Sequence, residues 1–311
     1  MRIVIPGGSG QVGAVLKRAF EQKGHDVLIL SRSKEGHSST LPWDGRTLGD
    51  WTRAIDGADV VINLAGRTVN CRYTAENLKQ MLDSRVDSTR VVGQAIAQST
   101  RPPPLWLQMS TATIYAHRFD APNDESGPLG GREPGVPDYW KRSIDIALAW
   151  ERELNDASTP HTRKIALRTA MVMCPSPGGV FDVLLRLVRF RLGGNIAGGA
   201  QYMSWIHDQD FVRAVEFLIK RKDLSGAINI CAPNPLPQRD FMQEMRKAWG
   251  TSIGLPASKW MIEIGAFVLR TDTELLLKSR RVIPGCLSAA GFSFNFPTWS
   301  MAAADLTSRW R

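Results

Sequence analysis

Short apolar runs alternate along the chain with stretches where apolar residues recur every three to four positions. Arg2 to Ile5 is one such run and stops at Pro6-Gly7-Gly8, the pattern of a buried strand ended by a turn. Val12, Val15, Leu16, Ala19 and Phe20 then share one face of a predicted helix that Gly24 closes. Val27 to Leu30, Asp59 to Leu64, Leu105 to Met109 and Lys164 to Arg168 repeat the strand pattern. Helical spacing returns over Ala75 to Gln98, Tyr139 to Asn155 and Val180 to Leu192. Strands alternating with helices predict an α/β fold, a Rossmann-type doubly wound parallel sheet with helices on both faces. The alternation breaks at Pro233-Asn234-Pro235-Leu236-Pro237. Beyond it Gln238 to Trp249 reads as a helix, and the alternating Phe292, Phe294 and Phe296 predict a short strand.

The composition, 43% hydrophobic and 22% charged, is that of a globular chain and argues against disorder. No apolar run approaches the ~18 residues of a membrane helix. The opening MRIVIPGG reaches glycine too early for a secretory signal. The expectation is a soluble, cytoplasmic protein, monomer or homodimer, with no membrane partner. Cys71, Cys174, Cys231 and Cys286 are widely spaced, with no CxxC pair, and the histidines form no HxxxH pair. Free thiols and no bound metal are expected. The net charge of +9 favours an anionic ligand. Its basic residues are dispersed in runs no longer than Lys220-Arg221-Lys222, so a small molecule is expected rather than nucleic acid.

The segment Gly7-Gly8-Ser9-Gly10-Gln11-Val12-Gly13 joins the first strand to the first helix. A helix start presents unpaired N–H groups and the positive end of its dipole, and glycines let backbone and pyrophosphate approach closely. Gly7, Gly10, Gln11, Val12 and Gly13 are therefore candidate dinucleotide contacts. A carboxylate about 20 residues further on would select the ribose 2′-hydroxyl of NAD. Here Leu30 is followed by Ser31-Arg32-Ser33-Lys34, hydroxyl and cationic donors that suit a 2′-phosphate. Ser31 and Arg32 point to NADP(H). Residues 1–170 plus 205–230 are read as the NADP-binding domain, and 171–204 plus 231–311 as a smaller, mostly helical substrate lobe.

With GGSGQVG, the strand end Asn63-Leu64-Ala65-Gly66 and STATIY at Ser110 to Tyr115, the chain resembles extended short-chain dehydrogenase/reductases. DSRVDSTR (Asp83 to Arg90), ALRTAMVM (Ala166 to Met173), QYMSWIHDQD (Gln201 to Asp210) and INICAPNP (Ile228 to Pro235) narrow this. They resemble an atypical, epimerase-like subgroup with a small C-terminal domain of unknown function. The resemblance implies hydride chemistry and adds Asn63, Leu64, Ala65, Gly66 and Ser110 to the expected cofactor contacts. It also implies a Ser or Thr that hydrogen-bonds the substrate oxygen, matched by Thr111, and a Tyr acid/base with a Lys four residues later. That pair has no match. Tyr139 is followed at the fourth position by Ser143, and alignment on Trp150-Glu151 gives Ser143 and Ala147 instead. A tyrosine without a neighbouring ammonium stays near a pKa of about 10, a poor base at neutral pH. Thr111, Tyr139 and Tyr115 are the catalytic candidates.

Arg85 interrupts the apolar stripe Leu78, Leu82, Thr89, Val92, Ile96. A buried guanidinium must meet a carboxylate, a phosphate or a wet cleft, so Arg85 reads as either an ion-pair partner or a cofactor contact. His117, Met203, Trp205 and His207 are candidate substrate contacts. Met203 and Trp205 are equally open to a core role, and His207, before Asp208 and Asp210, to a helix-start role. Two functions follow: an NADP(H)-dependent oxidoreductase or epimerase for a small or sugar-like alcohol or carbonyl, or a non-enzymatic NADP(H)-binding sensor that has lost the Tyr-Lys pair.

Overall fold

The computed structural model describes residues 1–32, 39–131, 133–134, 136–257 and 274–311. Its strands are β1 (Arg2–Pro6), β2 (Asp26–Ser31), β3 (Thr40–Pro42), β4 (Val60–Asn63), β5 (Leu105–Thr111), β6 (Arg163–Thr169), β7 (Met171–Met173), β8 (Tyr202–Met203), β9 (Trp205–His207), β10 (Gly226–Ile230) and β11 (Leu236–Pro237). Its helices are α1 (Gln11–Gln22), α2 (Thr52–Ile55), α3 (Ala75–Ala97), α4 (Lys141–Asp156), α5 (Val180–Arg189), α6 (Asp208–Lys220), α7 (Gln238–Trp249), α8 (Glu274–Leu277), α9 (Gly285–Ala289) and α10 (Trp299–Trp310). Seven strands pair, all in parallel, in the order β10-β6-β5-β4-β1-β2-β3.

Side chains alternate across a strand, so each strand feeds two cores. Ile3, Ile5, Ile62, Leu107, Leu167 and Ile230 pack with Leu16 and Phe20 of α1 and Phe211, Val215 and Leu218 of α6. Val4, Leu30, Val61 and Trp106 face the other way, onto Val91, Val92, Ala95 and Ile96 of α3. Burial on both faces explains why the strands read as unbroken apolar runs. Each fully buried side chain contributes roughly 1.5–3 kcal/mol.

A separate core lies under α5, α7 and α10, built on Phe181, Trp205, Phe241, Met245 and Trp299. Phe241 and Trp299 stack with centroids 3.9 Å apart, and the Trp299 indole donates to the Phe241 carbonyl at 2.9 Å. This is the helical C-terminal part the sequence texture announced.

Three local expectations are corrected. Phe292 to Phe296 is not a strand, because the Asn295 and Phe296 N–H groups donate to the Asp210 carboxylate at 2.9 and 2.8 Å instead of to a neighbouring strand. Helix α5 ends at Arg189, short of Leu192, where Arg191 takes φ 61°. Helix α4 begins at Lys141, and Tyr139 belongs to the 3₁₀ turn before it. Among the described residues no helix is long and apolar enough to cross a membrane.

Candidate functional site

A cleft of about 1020 Å³ runs along the C-terminal ends of β2, β1, β4, β5 and β6, where open α/β sheets bind ligands. The glycine loop forms its floor. Gly7 has φ +72°, and a Cβ there would stand 2.5 Å from Ala65 Cα. A Cβ on Gly13 would fall 2.2 Å from the Gly8 carbonyl oxygen. These contacts pull loop, helix and the end of β4 together. Gly10 differs: a Cβ there would meet nothing within 4 Å. It is the N-cap of α1, which has neither a side-chain cap nor an acidic residue in its first turn. The helix start therefore opens onto the cleft with its N–H groups available to an anion. Gln11 and Val12 line the same stretch, and the Gln11 amide reaches Ser176 O at 3.4 Å.

At the β2 end lie the buried Ser31 and the exposed Arg32; Ser33 and Lys34 are outside the described residues. Asp44 also lines this end, but its carboxylate closes its own turn. It accepts from Arg46 N at 2.8 Å, Thr47 N at 2.9 Å and Thr47 Oγ1 at 2.6 Å. The Thr47 hydrogen bonds hold its pKa below the ordinary carboxylate value. Arg46, which sequence reasoning missed, joins Arg32 there. Leu64, Ala65 and Gly66 line the middle. Asn63 lies fully buried beneath them, donating to Gln108 Oε1 at 3.0 Å and accepting from Ala65 N at 3.1 Å. It shapes the loop without lining the cleft.

At the β5 and β6 end the cleft reaches Ser110, Trp150, Thr169, Arg67 and Arg85. Arg85 is 9% exposed, its guanidinium carbon 5.0 Å above the Trp150 ring centroid. Burial pushes it down to about 10. Ser110 donates to Glu151 at 2.6 Å, and Arg168 grips the same carboxylate through two bonds at 2.9 and 2.8 Å. Arg168 also donates at 2.8 Å to the Tyr115 hydroxyl, which donates at 2.8 Å to Asn229.

That network holds Tyr115, a catalytic candidate of the sequence, away from the cleft lining. It is 2% exposed, and burial outweighs Arg168 to push it up to about 12. Thr111 lies one residue past the cleft at the end of β5; its oxygen accepts from Thr113 N at 3.1 Å, leaving its proton to donate. Tyr139 is 40% exposed and outside the cleft lining. The Ser143 hydroxyl donates to Glu274.

The four expected substrate contacts lie elsewhere. His207 is fully buried as the N-cap of α6: Nδ1 accepts from Gln209 N at 3.2 Å and Nε2 meets Asp305 at 2.9 Å. Burial holds its pKa below the ordinary histidine value despite Asp208 and Asp305. Its helix-start alternative is the one realised. Trp205 is fully buried against Trp299 at 4.9 Å. The half-buried His117 ring accepts from Ser279 N at 2.8 Å, an anchor for the C-terminal segment. Met203 lines a cavity of about 30 Å³ beside Gln201, Gln238, Lys278 and Arg280. Lys278, which the sequence did not mark, is 2% exposed, donates to the Thr113 carbonyl at 2.8 Å and is pushed by burial down to about 8. The cysteines are free, and no group of potential metal ligands occurs among the described residues.

Residues 3–231 match the NAD dependent epimerase/dehydratase family, and residues 257–306 match a domain of unknown function, DUF1731. An epimerase family protein of Mycobacterium leprae is 31% identical over 99% of this chain and 96% of its own. The human epimerase family protein SDR39U1 (isoform 2), solved with NADPH, superimposes at a TM-score of 0.86 with 25% identity, covering 99% of each chain. A nucleoside-diphosphate sugar epimerase from Corynebacterium glutamicum gives a TM-score of 0.76 and 26% identity, over 98% of this chain and 58% of that one.

Proposed function

The chain belongs to the NAD dependent epimerase/dehydratase family, and we propose that it binds NADP(H) and acts as a hydride-transferring oxidoreductase or epimerase on a small or sugar-like alcohol or carbonyl. The observation that carries the reading is the charge of the cleft. Among its described lining residues are Arg32, Arg46, Arg67 and Arg85, while its acidic residue, Asp44, is consumed by its own turn. Arg32, Arg46 and Ser31 would hold the 2′-phosphate, and the open start of α1 at Gly10 the pyrophosphate. The relative solved with NADPH supports this choice of cofactor.

When bound, the nicotinamide supplies or accepts the hydride. The chain's own part is to orient the reactants and stabilise developing charge on oxygen. Thr111 keeps its hydroxyl proton available to donate to a substrate oxygen. Ser110 spends its proton on Glu151, so it positions rather than donates. With Tyr115 locked between Arg168 and Asn229, water takes the proton released when an alcohol is oxidised and supplies the one consumed when a carbonyl is reduced. A second reading, an NADP(H)-binding sensor, is favoured by one observation: neither Tyr139, followed at the fourth position by Ser143, nor Ser143, followed there by Ala147, gives the family Tyr-Lys pair.

Titration with NADPH and NADH tests the cofactor, with tighter NADPH expected; equal affinities would end the NADP(H) reading. Deuterated NADPH offered with a panel of carbonyl compounds and sugar nucleotides tests the chemistry. Label in a product supports the enzyme, and tight binding with no transfer to any compound supports the sensor.

A further inference from the structure

Lys278, in the segment that follows α8, is a buried cation short of acceptors. It is 2% exposed, and an ammonium carries three donors. One goes to the Thr113 carbonyl at 2.8 Å. Glu274 stands 4.0 Å off, past hydrogen-bond reach, and accepts from the Ser143 hydroxyl. Among the described residues no other acceptor lies within hydrogen-bond reach of the ammonium. Burial, and then the charge of the neighbouring Arg280, push Lys278 down to about 8. An ammonium held out of water in this way is costly, and the arrival of an anion would offset that cost.

Lys278 and Arg280 both line a cavity of about 30 Å³, room for roughly two oxygen-sized atoms. Met171, Met203 and Met242 give it apolar walls. The Gln201 and Gln238 amides beside it are spent on backbone. Gln201 donates to Ile196 O at 3.1 Å, and Gln238 accepts from Ile196 N at 3.0 Å and donates to Gly194 O at 3.2 Å. Two oxygens on an apolar stem, facing an ammonium, describe a carboxylate; the four oxygens of a phosphate exceed the space. The cavity adjoins the cleft across β7, since Ala170 and Val172 line the cleft and Met171 between them lines the cavity. Thr113 joins the two again: Lys278 holds its carbonyl, and its N–H donates to the Thr111 hydroxyl oxygen at 3.1 Å. We propose that this cavity binds the carboxylate of a small hydroxy or oxo acid, with Lys278 as its counter-charge. The acid's hydroxyl or carbonyl oxygen would then face Thr111 on the other side of the same turn.

Calling that acid a substrate rests on the NADP(H) oxidoreductase reading, and the test separates the two. Calorimetric titrations at neutral pH use glycolate as the probe, with its neutral analogue glycolamide, inorganic phosphate and chloride compared at equal ionic strength. NADPH is titrated alongside. Wild type should bind glycolate saturably and glycolamide at least about 10-fold more weakly, because the amide brings no charge to Lys278. Lys278→Met should weaken glycolate about 10- to 100-fold, the effect of a lost hydrogen bond to a charged group. Lys278→Gln keeps a donor for the Thr113 carbonyl but not the charge; it should lose as much, and it decides the matter if the methionine variant does not fold. NADPH affinity should stay within about twofold of wild type in both variants, since the cavity lies across β7 from the cleft. Glycolate bound no better than chloride, glycolamide or phosphate bound as tightly as glycolate, or a folded variant binding glycolate like wild type would each overturn the proposal. A loss of NADPH affinity as large as that of glycolate would overturn it too, by placing Lys278 in the nucleotide site. Glycolate binding that depends on Lys278, in a protein that does not bind NADPH, would instead refute the underlying reading and leave the anion site standing.

Discussion

Arg85 and Arg168 are both buried arginines over aromatic rings, Trp150 at 5.0 Å and Tyr115 at 5.1 Å, yet their chemistry is opposite. Arg168 has Glu151 on both arms of its fork, and despite burial this carboxylate raises its pKa above the ordinary arginine value. Arg85 has no such partner among the described residues, and burial drives it down to about 10. Burial alone therefore does not say what an arginine is for. The paired one is a clamp that fixes Ser110 and Tyr115, and the unpaired one waits at the wall of a cleft.

The sharpest way to break this comparison is Arg168→Met. Glu151 would be left buried without its cation, with an expected loss of about 3–5 kcal/mol of stability in urea or thermal unfolding. Adding Glu151→Leu should restore most of it. A single variant as stable as wild type would show the clamp to be idle. A smaller effect belongs to the far end of the cleft. Arg32→Ala should weaken NADPH by about 1.5–3 kcal/mol, the range for hydrogen bonds to charged groups, and hardly touch NADH. A loss shared by both nucleotides would take Arg32 away from the 2′-phosphate.

The smallest effect concerns Lys278, whose folded pKa of about 8 lies below the ordinary 10.5 because of burial and then Arg280, against Glu274 and Glu133. Between these values the unfolded chain holds the proton that the folded chain has released, so this group's contribution to stability rises with pH. Below pH 8 its full cost is present. Stability measured from pH 7 to 10 should therefore rise more, or fall less, in wild type than in Lys278→Met. Parallel curves for the two proteins would show that the lysine is not desolvated.

The β1 and β2 end of the cleft was legible as cleft lining because its signals are local. Gly7, Gly10 and Gly13 lie within one strand–turn–helix unit, and Arg32 directly follows a strand. Arg85 was legible in part: its break in the apolar stripe of α3 marked it as buried, but only the structure shows that Glu151 went to Arg168. His207, Trp205 and Met203 were not legible as to role. His207 meets Asp305 98 residues away, and Trp205 packs on Trp299, partners that no local pattern can name. Arg46 carried no signal of its own, since its place at the β2 end depends on the turn Asp44 closes.

What the sequence by itself determined is the layered α/β fold, the phosphate loop and the family, because apolar periodicity and glycine spacing act over a few residues and dictate local geometry. The tertiary structure alone decided which polar groups face the cleft and which are spent on one another. Glu151 could pair with either buried arginine on composition alone; the parallel register of β5 and β6 sets Ser110 beside Arg168 and with it the choice. Desolvation and pairing are set by what surrounds a side chain in space, so Tyr115 ended up held between Arg168 and Asn229, and Arg85 on α3 lies at the cleft wall with no carboxylate partner among the described residues.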